Sequence, residues 1–134
     1  MKLENKALDY YKSGFNCAQS ILKACNEDLK LTDNENELLK AAMGLGTGMF
    51  VGETCGAVTG AIMALSLKLG SSQAADRENM RKVFKQIKIF ETTFKEKNCS
   101  MNCKELKTVY KIDCEKVIKD SAEQVKKQIS ELEV

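Results

Sequence analysis

The residues equipped for chemistry in this chain are six cysteines: Cys17, Cys25, Cys55, Cys99, Cys103 and Cys114. Setting aside Cys99 after Asn98, four of them follow a residue favoured at a helix N-cap, namely Asn16, Thr54, Asn102 and Asp113. Gln19 and Glu105 stand three residues after the two asparagines, the spacing of a capping box. This pattern predicts that Cys17, Cys55, Cys103 and Cys114 each open a different helix. The first turn of a helix has unpaired amide donors and the positive end of the macrodipole, which together favour a thiolate and lower a thiol pKa. Four such ends converging would make one pocket for thiolates, for a metal or cluster they ligate, or for an anion. Cys25 follows Ala24 on an apolar stripe with Ile21 and reads as a packed core thiol. Cys99 follows Asn98, four residues before Cys103, and is expected to be at most an auxiliary or resolving thiol.

The remaining composition removes several alternatives. There is no histidine, which excludes a Cys–His nucleophile, a Ser–His–Asp triad, histidine-ligated zinc and haem on a proximal histidine. There is no Cys-x-x-Cys pair, so zinc-ribbon, thioredoxin-type and haem-attachment motifs are missing too. Gly44, Gly46, Gly48 and Gly52 form a glycine-rich passage, but no Gly-Lys-Ser/Thr follows and no strand precedes it, so nucleotide binding is not expected. The passage is better read as a turn that delivers Thr54 and Cys55 to the site.

Helices must position these thiols. The chain has no proline, where about seven would be usual, and proline is what breaks helix interiors. Apolar stripes recur at three and four residues: Leu3, Ala7, Leu8 and Tyr11; Ile21, Leu22, Cys25 and Leu29; Leu38, Leu39, Ala42 and Met43. A segment from about 54 to 69 is apolar on nearly every side and predicts a central buried helix. Within it Gly56, Gly60 and Ala64 recur every four residues, so another backbone can come close on one face. Met80, Val83, Phe84, Ile87, Phe90 and Phe94 predict a long fifth helix, and Ile118, Ala122, Val125, Ile129 and Leu132 a sixth. The expected fold is an all-α, single-domain bundle of about six helices over residues 1–134.

Apolar residues at 43% and charged residues at 30% suit a globular chain with its own core rather than a disordered one. The net charge is only +2, and acids and bases interleave from Glu115 to Lys127, which argues against a nucleic-acid footprint. The N-terminal segment lacks an apolar signal core, and the longest apolar run, Ala57 to Leu67, is too short to span a bilayer. The expectation is a cytoplasmic protein with no membrane insertion, where cysteines serve metal or redox chemistry more than structural disulfides.

Cys55-Gly56-Ala57-Val58-Thr59-Gly60 resembles the C-G-A-x-x-G signature of the C_GCAxxG_C_C family of redox-active proteins. The likeness extends to Gly14-Phe15-Asn16-Cys17-Ala18-Gln19, to Asn102-Cys103-Lys104-Glu105-Leu106 and to Cys114. It implies that the family's four characteristic cysteines are Cys17, Cys55, Cys103 and Cys114, with Cys25 and Cys99 outside the pattern. It further implies a bacterial or archaeal helical protein with a redox or metal role, often encoded beside transporter genes. Haem is not carried over. Three functions follow. The first is an iron–sulfur cluster held by the four thiolates for electron transfer or sensing, with Gly56 and Gly60 as cofactor-contacting positions. The second is a cluster-free thiol–disulfide oxidoreductase or sensor, pairing for example Cys55 with Cys17 or Cys103 with Cys114. The third is a four-cysteine zinc or metal-binding module linked to a transporter. The expected partners are a redox protein or a transporter-associated system, and the exposed side of the long helix could pair with another subunit.

Overall fold

A computed structural model describes residues 1–132; the last two positions of the expected 1–134 domain lie outside the described residues. Among the described residues seven α-helices follow one another: α1 (Leu3–Lys12), α2 (Cys17–Leu29), α3 (Glu35–Ala42), α4 (Gly56–Leu69), α5 (Arg77–Asn98), α6 (Cys103–Thr108) and α7 (Cys114–Leu132). Among the described residues there is no strand, only a single antiparallel bridge between Thr54 and Asn102. The all-α expectation holds; the short α6, announced by the cap at Asn102 and not by periodicity, joins the six longer segments. Six residues give too short a window for a 3.6-residue period to register. No helix among the described residues is long and apolar enough to cross a membrane.

α4 runs through the middle of the bundle, packing on α2, α5 and α7, while α1 closes over α2 and α7. The α2–α4 contact is the most extensive, and small residues explain it. A Cβ at Gly60 would stand 2.8 Å from the Ala18 carbonyl oxygen and 3.1 Å from Ile21 Cβ. Around that seam Ile21, Leu22, Val58, Leu65, Ile118 and Val125 are fully buried. Each such side chain contributes roughly 1.5–3 kcal/mol of transfer free energy.

Two sequence expectations need correcting. α4 is not buried on every side, because Ile62 and Met63 are half-buried and Leu67 is exposed. In α5 only the C-terminal half reaches the core, through Phe90 and Phe94, whereas Met80 and Phe84 face solvent. The reason lies in α7, which leaves the first turns of α5 uncovered and meets it from Gln86 onward. There Gln128 Nε2 donates to Gln86 Oε1 at 2.9 Å and to the Gln86 carbonyl at 3.0 Å. Apolar periodicity measures what a helix could bury, not whether a neighbour extends far enough to cover it.

Candidate functional site: four thiols around one cavity

The four helix starts converge. Cys17, Cys55, Cys103 and Cys114 all line one cavity of about 70 Å³, together with Tyr11, Asn16, Thr47, Leu106, Lys107, Ile112 and Val117. All are free thiols; the first three are buried and Cys114 is half-buried.

Each cysteine is held by its own local device. Cys17 opens α2 behind a complete capping box: Gln19 N–H donates to Asn16 Oδ1 at 2.9 Å, and Asn16 N–H donates to Gln19 Oε1 at 3.1 Å. The same two side chains reach across to α3 and the turn after it, through Asn16 Nδ2 to the Met43 carbonyl and Gln19 Nε2 to the Leu39 carbonyl. Cys103 opens α6, with Glu105 N–H donating to Asn102 Oδ1 at 2.9 Å. Its predicted box closes indirectly: Asn102 N–H donates to Ser100 Oγ, and Ser100 Oγ donates to Glu105 Oε1. Cys114 opens α7 behind Asp113, whose Oδ1 accepts from Glu115 N–H at 2.6 Å.

Cys55 departs from the expected pattern. It is the N-cap residue itself, with φ −55° and ψ 137°, and α4 begins at Gly56. Thr54 is taken up by the bridge to Asn102 and cannot also cap. The Cys55 side chain makes no cap hydrogen bond; its carbonyl accepts from Val58 N–H at 2.9 Å, and its sulfur sits beside the Ala57 and Val58 amides at the α4 N-terminus, which favour a thiolate there. On either side of the Thr54–Asn102 bridge, Cys55 N–H donates to the Met101 carbonyl at 2.8 Å and Cys103 N–H to the Glu53 carbonyl at 2.6 Å. Cys55 and Cys103 are therefore locked by backbone hydrogen bonds, although 48 residues separate them in sequence.

Glycines make room for the sulfurs. A Cβ on Gly56 would lie 2.2 Å from Cys17 Sγ, and one on Gly48 would lie 2.8 Å from Cys103 Cβ. Gly48 also sits at φ +62°, within a turn where Thr47, Met49 and Phe50 hold left-handed conformations at φ 51°, 60° and 61°. Each of those three non-glycine residues costs on the order of 1–3 kcal/mol. The turn that leads into Cys55 is thus wide and strained, with Glu53 N–H returning to the Gly48 carbonyl at 3.0 Å. Neither Gly56 nor Gly60 lines the cavity itself: Gly56 abuts Cys17 Sγ from behind, and Gly60, one turn into α4, meets Ala18 and Ile21.

The electrostatics also correct the sequence reading. Helix starts were expected to lower the thiol pKa values, yet burial pushes Cys55 up to about 12. The Ala57 and Val58 amides pull against that rise, and the neighbouring Cys17 and Cys103 add to it. Cys103 is raised as well, chiefly by burial, with Lys107 opposing through its charge and a hydrogen bond. Removing a thiolate from water outweighs the modest attraction of one helix end. Tyr11 is likewise raised to about 12, by burial first and then by its hydrogen bond to Cys114.

Tyr11 and Lys107 are site residues that sequence reasoning did not select. Tyr11 lay on an apolar stripe and counted as core, and Lys107 is one of many surface lysines. Only the packing of α1 on α7 and the one-turn spacing from Cys103 to Lys107 bring them to sulfur. Cys25 is fully buried and held near 12 by burial, away from the cavity, as its stripe predicted. Cys99 is exposed in the left-handed cap of α5 at φ 72°. Because α5 ends at Asn98, Cys99 shares no helical face with Cys103, and it does not reach the cavity.

The donor set suits some metal groups better than others. Four thiols are the usual complement for a two- or four-iron cluster. Among the described residues, however, no three His, Cys, Asp or Glu side chains group closely enough to hold a single metal ion as they stand. The sulfurs surround a space instead of meeting at a point. No curated protein and no solved structure matches the chain. The family model described as "Putative redox-active protein (C_GCAxxG_C_C)" matches residues 15–128, a span that contains the whole cavity apart from Tyr11, and the chain belongs to that family.

Proposed function

We propose that the four-cysteine cavity binds an iron–sulfur cluster and works in electron transfer or redox sensing. The observation that carries this reading is that four thiols, each from the start of a different helix, line one small, largely apolar cavity. Cys17, Cys55, Cys103 and Cys114 would hold the cluster, and when bound it would supply one-electron redox chemistry. The chain's own groups have definite tasks. The Ala57 and Val58 amides, the Tyr11 hydroxyl and the Lys107 ammonium stand beside the sulfurs and would stabilise negative charge there. Leu106, Ile112 and Val117 keep water out. Gly56 leaves the space that Cys17 Sγ occupies.

Two further observations weigh on the alternatives. A tetrahedral zinc site needs four sulfurs about 2.3 Å from one point, and the sulfurs here do not converge that way. A thiol–disulfide cycle needs a thiolate near neutral pH, whereas Cys55 and Cys103 are pushed upward by burial. Metal binding removes those protons in exchange for a metal–sulfur bond, so buried protonated thiols are compatible with a ligand role. A reducing compartment such as the cytoplasm suits six free cysteines, and an electron-transfer protein or a transporter-associated system would be the natural partner. The test is anaerobic reconstitution with ferrous iron and sulfide, followed by visible spectroscopy. A brown protein whose absorption bleaches reversibly with dithionite is the expected result. A chain that takes up neither iron nor sulfide would overturn the proposal.

A further inference from the structure

The chain has two arginines, Arg77 and Arg81, one helical turn apart at the start of α5. Between Arg77 and Lys88 stand five cations and one carboxylate, a net of +4, while the whole chain nets only +2. The rest of the protein is therefore acidic on balance, by 18 carboxylates to 16 cations, and the net positive excess sits on this half-helix. Its first two turns, up to Phe84, are what α7 leaves uncovered, since α7 meets α5 only from Gln86 onward. Met80 is 51% exposed and Phe84 60% exposed. Both line two adjoining hollows of about 220 and 200 Å³, one between the ends of α4 and α5 beside Ser66 and Val83, the other bounded by Arg77 and Arg81. Lys82 pairs with Glu78 at 3.8 Å, but neither arginine has a carboxylate partner among the described residues.

We infer that this face docks an acidic amphipathic helix of a partner protein. Its apolar side chains would fill the hollows at Met80 and Phe84, and its carboxylates would meet Arg77 and Arg81. The chemistry is specific in two ways. A guanidinium offers a planar fork that matches a carboxylate in two hydrogen bonds, which a lysine does not. Concave apolar hollows rimmed by charge suit side-chain anchors at helical spacing better than they suit a flat lipid surface. A second copy docking α5 on α5 would set like charges against each other. This inference does not depend on what the thiol cavity holds.

The probe is a short amphipathic helical peptide with leucines one turn apart flanked by glutamates, beside counterparts carrying glutamine or lysine at the same places. The acidic peptide should bind the full chain, and more weakly as salt rises. The glutamine peptide should bind about tenfold more weakly or worse. The double variant Arg77→Glu with Arg81→Glu should lose the acidic peptide and gain the lysine peptide. Glutamates in the first turns of α5 favour the helix dipole, so circular dichroism and thermal unfolding should show the fold retained. Phe84→Ser should weaken both pairings without changing the charge preference. Equal binding of the glutamate and glutamine peptides would overturn the inference. So would binding to phosphatidylserine vesicles with none to peptide, or a dimer in sedimentation that Phe84→Ser dissolves.

Discussion

Cys25 and Cys55 are alike by burial and unlike in every other respect. Both are shielded from water, and burial pushes both thiols to about 12. Around Cys25 there is only apolar packing within the stripe of α2, and nothing in that environment answers a negative charge except a more distant, unfavourable Asp28. Around Cys55 the chain supplies two helix amides, two neighbouring thiols and an open cavity. The α2 interior uses cysteine as a small hydrophobe, whereas the cavity spends strain and glycines to keep cysteines near one another. Burial thus marks a thiol as structural or functional only when read with the donors and space beside it.

The largest effect that could break this comparison is loss of the bound group. Cys55→Ser should abolish iron and labile sulfide binding, and Cys17→Ser, Cys103→Ser and Cys114→Ser should do the same. Cys25→Ser should retain both in full and lose only about 1–3 kcal/mol of stability in urea unfolding, from burying a hydroxyl in an apolar site. Equal damage from Cys25→Ser would erase the distinction between the two regions.

A second comparison uses pH and the metal-free protein. Both thiols hold their protons more tightly folded than unfolded, because their folded values of about 12 exceed the ordinary 9.0. Their contribution is therefore complete below pH 9 and is lost as pH rises from 9 toward 12, where the unfolded chain sheds protons that the folded chain retains. The stability lost over that interval should approach ~4 kcal/mol for each thiol at most. Urea unfolding at a series of pH values checks the slope. Cys25→Ala and Cys55→Ala should each flatten it.

Glycine substitutions sharpen the same contrast at the next level. Gly56→Ala drives a methyl into Cys17 Sγ, and Gly60→Ala drives one into the Ala18 backbone. Each should cost about 1–3 kcal/mol by overpacking, read from the unfolding midpoint. Only Gly56→Ala should also lower iron content per chain, since Gly56 alone abuts a sulfur of the site. The smallest expected effect belongs to Tyr11→Phe, which removes the hydroxyl donor beside Cys114. It should keep the iron and shift the reduction potential negatively by roughly 40 mV, the equivalent of about 1 kcal/mol for a one-electron couple.

The sequence made much of this site legible because capping is local chemistry. Asn16, Asn102 and Asp113 announce helix starts within a few residues, and a cysteine placed after each is therefore located without knowing the fold. The same rule misplaced Thr54, because its fate was decided by a bridge to Asn102, a partner that no local pattern reveals. The lowered thiol pKa expected from helix ends failed for a related reason: burial at Cys55 is set by the whole bundle. Tyr11 and Lys107 were invisible as site residues since their identity as core and surface positions was equally consistent with the pattern. The uncovered half of α5 was hidden likewise, because its stripe of Met80 and Phe84 is as regular as that of Phe90 and Phe94.

The central claim is that four thiols act together on one bound group, and composition of the protein purified without oxygen tests it most directly. Iron, zinc, labile sulfide and free thiols are measured on the same sample. The account predicts iron and sulfide in equal amounts, no stoichiometric zinc, reaction of only the exposed Cys99 in the native protein, and all six thiols titratable once denaturation releases the cluster. A colourless chain without iron or sulfide, in which mild oxidation removes two thiols as a disulfide, would contradict it.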